Sequence, residues 1–151
     1  MSLTLSFITG STAVILESLK NDDYDLFDEN VSKEADFSFH LQPRDLQILS
    51  LCAAEFNAQK PLNLRKQMTV LIDNEDMGLF SMDNKWVEYI GTVPLEQSEI
   101  LCNRWFEEMN RKYPKEKIEL TEEAVEAVEN LISICRFCID NKQDLLHYWT
   151  L

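Results

Sequence analysis

Glycine and proline are scarce in this chain, three and four residues among 151. Tight turns lean on both, so their scarcity argues against an all-β sandwich with its many hairpins. No apolar run reaches the roughly 18–20 residues that a membrane-spanning helix needs. The N-terminal residues 1–7 carry neither a basic region nor a long apolar stretch, so they do not read as a signal peptide, and a cytoplasmic protein is expected. Histidine is limited to His40 and His147, and neither sits in an H-E-x-x-H or triad-like pattern. G-x-S-x-G, Walker and G-x-G-x-x-G motifs are all missing. Nothing in the sequence supports an enzyme; no catalytic residue is assigned and no cofactor is expected. With 27 acids, accidental carboxylate pairs are certain and carry no information.

Positive charge is also in short supply. Fourteen Lys and Arg face 27 Asp and Glu, a net charge of −13. A surface of that sign repels phosphate backbones and anionic lipid, which argues against direct nucleic-acid or membrane contact. It favours solubility, and it would steer in a basic protein partner.

What is present is ordinary globular material, 45% hydrophobic and 27% charged. A chain of this length makes one domain, residues 1–151. It can bury roughly 70% of its unfolded surface without disulfide staples. The rest is organised around the run Thr121–Ile139. Apolar residues recur there at 124, 125, 128, 131, 132, 135, 138 and 139, the spacing of a wide buried helical stripe. Glu122, Glu126 and Glu129 fall on the opposite side.

Upstream, residues 3–8 alternate as a half-buried strand that Gly10 ends, and Ser11 or Thr12 can cap a helix through Leu19. The segment from Asn21 to Asn30 then interleaves Asp22, Asp23, Asp25, Asp28 and Glu29 with Tyr24, Leu26 and Phe27. No register supplies the glycine and glutamate of a calcium loop. Two readings remain: a solvated loop pinned to the core by its apolar residues, or an acidic contact surface anchored by Tyr24 and Phe27.

Residues 37–41 alternate as a second strand, and Pro43 opens a helix to about Ala58. Met68–Ile72 reads as a central strand, and residues 73–76 turn the chain. Residues 77–82 and 85–93 flank Asp83-Asn84 and read as a hairpin, with Trp86 and Tyr89 on its faces. Pro94 opens a helix to Tyr113, with Arg104, Arg111, Lys112, Lys115 and Lys117 at its far end, where cations suit the dipole. The apolar tail, residues 144–151, either closes the core or docks on a partner. The expected fold is α+β: one domain with a mixed or mainly antiparallel sheet of about four to five strands, helices on one face and the long C-terminal helix in the core.

Four cysteines remain: Cys52, Cys102, Cys135 and Cys138. Cys135 and Cys138 have C-x-x-C spacing, but they lie deep in the last predicted helix, near its negative end. A redox pair sits instead at a helix N-terminus, where the dipole lowers the thiol pKa. Cys52 and Cys102 lie on apolar stripes, so buried thiols are expected and no metal site is assigned. By exclusion, the reading is a small acidic protein that binds another, basic protein and blocks it. Carboxylates of the 22–29 segment or the Glu122/Glu126/Glu129 face would meet a cationic cleft. Immunity proteins that block bacterial nuclease toxins are similar in size and charge, a likeness of bulk properties without a residue match. The alternative is a structural or adaptor homo-oligomer, joined through the tail or the Trp86/Tyr89 face.

Overall fold

The last strand of the chain is inserted between the first and the fourth. In the computed structural model, which describes residues 4–38, 41–56 and 67–151, five strands form one sheet: β1 (Thr4–Gly10), β2 (Val31–Asp36), β3 (Met68–Asp73), β4 (Met77–Met82) and β5 (Leu146–Thr150). Their spatial order is β2-β1-β5-β4-β3, and every neighbouring pair is antiparallel. Six α-helices complete the fold: α1 (Thr12–Lys20), α2 (Tyr24–Asn30), α3 (Pro43–Phe56), α4 (Asn84–Gly91), α5 (Ser98–Lys112) and α6 (Glu122–Asn141). No helix among the described residues is long and apolar enough to cross a membrane.

Strand alternation sorts the core into two layers. Leu5, Phe7, Phe37 and Met82 face α3, α4, α5 and α6 in the larger one, around Trp86 and Trp105. Ile8, Leu79, Leu146 and Tyr148 point the other way, toward Ile15 and Leu19 of α1, with Phe27 of α2 packed against them. The four larger helices thus share one face, as expected, while the short pair α1–α2 covers part of the other.

The helix read at the C-terminus is α6. Its N-cap is Thr121, whose Oγ1 accepts from the Ala124 N–H at 3.1 Å, and Glu122 and Glu123 sit in the first turn, where carboxylates favour the dipole. Removing the cap in Thr121→Ala is expected to cost about 1 kcal/mol. A urea midpoint lowered with an unchanged slope would show it, and Thr121→Ser should keep most of the loss away. Against α6, the α4 helix approaches closely at Gly91. A Cβ there would meet the Ile139 Cδ1 at 2.7 Å and the backbone of Cys135 and Arg136 at 3.1 Å. Arg136 donates from Nε to the Gly91 carbonyl at 3.1 Å and from Nη2 to that of Val93 at 2.7 Å, which satisfies carbonyls left open at the end of α4.

Several local expectations are corrected. The second strand is Val31–Asp36 rather than 37–41, and Phe39 and His40 lie outside the described residues, as do Leu3 and Ala58. Asp83 does not turn a hairpin: its carboxylate caps α4, accepting from the Lys85 N–H at 2.8 Å. The real hairpin is β3–β4, turned by residues 73–76. Trp86, Val87, Ile90 and Gly91 are buried at helical spacing while Glu88 is exposed, so the strand-forming residue types there serve a helix packed on α6. The last long helix before α6 begins at Ser98, after a single 3-10 turn at Leu95–Gln97. The segment after Lys20 is a helix rather than a loop.

Candidate functional site

The 22–29 segment is built by a sharp turn and a cap. Asp22 adopts a left-handed conformation (φ 54°) directly after α1, and the Asp23 N–H donates to the Ser18 carbonyl at 2.8 Å. Short polar residues tolerate this geometry, and Asp is one of them. Asp23 then caps α2, its carboxylate accepting from the Leu26 N–H at 3.2 Å. Seven residues make a marginal helix. What holds it is Phe27, whose ring lies 5.2 Å from that of Tyr148 on the central strand.

Phe27 is therefore spent on the core, and Tyr24, 48% exposed, is the free aromatic of the segment. Asp22, Asp23, Asp25, Asp28 and Glu29 are all exposed. Burial pushes the Tyr148 phenol above its ordinary pKa, and nearby Tyr24, Asp28 and Glu34 push it the same way.

Tertiary structure adds a second acidic segment. A recess of about 390 Å³ opens between the α1–α2 corner and the β3–β4 turn, lined by Lys20, Asp22, Tyr24, Asn74 and Asp76 above Leu19, Ile72 and Met77. The turn is rigid: the Asn74 Oδ1 accepts from the N–H groups of Asp76 and Met77, each at 2.9 Å. Asp73, Glu75 and Asp76 are exposed on it. Their types were visible as an acidic run; their place beside Asp22 was not.

Glu122, Glu126 and Glu129 are exposed on α6. With Glu99 of α5 they surround a separate shallow hollow of about 370 Å³. The helix α6 packs on the opposite side of the sheet from α2, so the two acidic groups do not form one surface. No family model matches the chain, and neither a curated protein nor a solved structure matches it.

The other candidates fall to structural roles. All four cysteines are free and buried. Burial pushes the Cys52 and Cys102 thiols up to about 12. It also raises those of Cys135 and Cys138, so none is a ready thiolate. Among the described residues, no group of three or more His, Cys, Asp or Glu is placed to hold a metal ion. Of the cations on α5, Arg104 pairs with Glu55 at 3.0 Å, Glu107 at 3.2 Å and Glu108 at 3.3 Å, and Arg111 with Glu108 at 2.7 Å. Residues 146–150 form the central strand and Trp86 is fully buried.

Proposed function

We propose that this protein binds a basic protein through the acidic recess at the α1–α2 corner and occludes the partner's cationic site, as an inhibitor of the immunity-protein kind does. The observation that carries the reading is the meeting of Asp22 and Asp76 beside the exposed Tyr24 and Lys20, with Asp23, Asp25, Asp28 and Glu29 exposed further along one segment and Asp73 and Glu75 exposed on the other. An exposed aromatic beside carboxylates offers one anchor and a field that steers a cationic partner. A net charge of −13 extends that field over the whole molecule. Four unpaired cysteines suit a reducing, cytoplasmic setting. Glu122, Glu126 and Glu129 lie away from the recess, and Glu122, with Glu123, sits in the first turn of α6, where a carboxylate favours the dipole.

The test uses the full chain as bait in lysate of the native host. Recovery of one stoichiometric basic protein, whose activity the bait then blocks, is expected. Raising salt from about 0.1 M to about 1 M, which shortens the Debye length from about 10 Å to about 3 Å, should release it. The triple substitution Asp22→Lys/Asp25→Lys/Asp76→Lys should weaken binding about tenfold or more. Its thermal unfolding should remain cooperative with a midpoint only modestly lowered, since the three side chains are exposed and the cost is confined to the left-handed Asp22 and the first turn of α2. Recovery of the bait alone, or capture indifferent to both salt and charge reversal, would overturn the reading.

A further inference from the structure

On the opposite face of the sheet from the acidic recess lies a cavity of about 300 Å³. Its floor is the sheet. His147 sits directly between its cross-strand neighbours Phe7 and Phe80, with ring centroids 5.0 Å and 6.0 Å away. Trp149 and its cross-strand partner Leu5 continue the floor, and Met68 of the edge strand and Leu46 of α3 complete the walls.

Two independent features separate this cavity from a packing defect. The first is that its roof is held in place. The Trp86 indole donates to the Leu46 carbonyl at 3.2 Å and the Trp105 indole to the Asp45 carbonyl at 2.9 Å. The Asp45 carboxylate accepts from the Tyr113 hydroxyl at 3.1 Å and from the Gln42 N–H at 2.9 Å. Two helices, α4 and α5, thus fix the first turn of α3, so the space stays open instead of collapsing. The second is that His147, 7% exposed, lines the cavity with neither ring nitrogen hydrogen-bonded among the described residues. Buried polar side chains almost always find a partner, and one that lacks it points to a missing one.

We propose that this cavity is a binding site for a small uncharged molecule with an apolar body and a single hydroxyl, the hydroxyl bonding to the ring of His147. The size fits: a dry cavity of about 150 Å³ takes benzene, and this one is about twice that. The lining fits as well, because a mostly apolar wall with few polar groups, here His147 and Gln42, is the usual make-up of a small-molecule site. A neutral imidazole offers one donor and one acceptor, and a hydroxyl can engage either. An ionic ligand does not fit, since among the described residues no charged side chain lines the cavity and an unpaired buried charge is costly. This inference stands independently of the acidic recess.

The probes are 4-butylphenol and butylbenzene, which differ only in the hydroxyl. Calorimetric titration of the full chain should show saturable binding of both, with the phenol about fivefold tighter, the worth of one neutral hydrogen bond. The ¹⁵N resonances of the His147 ring should move with the phenol and not with butylbenzene. His147→Phe, which keeps the ring volume, should bring the two affinities together. Met68→Trp, at the half-buried edge of the cavity, should abolish binding of both and leaves the site decidable where His147→Phe fails to fold. No saturable binding of the phenol, equal affinities in the parent chain, or binding that survives Met68→Trp would each overturn the proposal and leave the cavity to solvent.

Discussion

Truncation of the chain before Leu146 is expected to abolish folding. Residues 146–150 form the central strand, paired with β1 from Thr4↔Thr150 to Ile8↔Leu146 and with β4 from Met77↔Thr150 to Ser81↔Leu146. Removing β5 leaves two facing strand edges in the middle of the molecule. Each stranded, buried backbone group costs about 1–3 kcal/mol. Burial of the Leu146 and Tyr148 side chains is lost as well, worth about 1.5–3 kcal/mol for a large apolar side chain. The sum exceeds the roughly 5–15 kcal/mol by which a domain of this size is stable. Far-UV circular dichroism and limited proteolysis of residues 1–145 should report an unfolded or aggregated chain. A truncated protein that stays monomeric and unfolds cooperatively would show instead that β5 is an appended element, and would reopen the tail as an interface.

Acid should destabilise the protein through one side chain by about 3 kcal/mol. Burial between Phe7 and Phe80 lowers the His147 pKa to about 4, against 6.5 in an open chain. Above pH 6.5 the imidazole is neutral in both states and contributes no pH dependence. Between pH 6.5 and 4 the unfolded chain takes up a proton that the folded one refuses, so stability falls as pH falls, and the loss levels off below about 4. At about 1.4 kcal/mol per pKa unit the full effect is about 3 kcal/mol. Carboxylates titrate at the lower end of the same window, and their protonation relieves the self-repulsion of a chain at −13. The measurement is therefore a difference: the unfolding free energy of the parent minus that of His147→Phe, from pH 7 to pH 4. It should fall by about 3 kcal/mol on acidification. A difference that does not move with pH would mean that the ring is solvated in the folded protein.

The errors in local assignment have one character. Aspartate caps helices and turns hairpins with the same carboxylate-to-N–H bond, so Asp83 alone does not separate the two. Trp86, Val87, Tyr89 and Ile90 are strand formers by type, and only packing against α6 at Gly91 makes them a helix. The segment from Tyr24 to Asn30 is too short for a helical period and too acidic to look ordered. It is helical because Asp23 caps it and Phe27 reaches Tyr148, 121 positions further along the sequence.

By itself, the sequence determined what depends on near neighbours and on totals. Those are the α+β class, the helix α6 with its apolar stripe, the stripes that bury the four cysteines and the acidic character of residues 22–29. Periodicity, capping and net charge are local or additive, so they survive being read one residue at a time. Tertiary structure alone decided that the tail is the central strand, that the 73–76 turn stands beside Asp22, that Phe27 belongs to the core, and that His147 lies between two phenylalanines over a cavity. Each of these is a pairing across a long stretch of chain. Strand partners are chosen by the fit of whole faces, and no short window of sequence contains both sides of that fit.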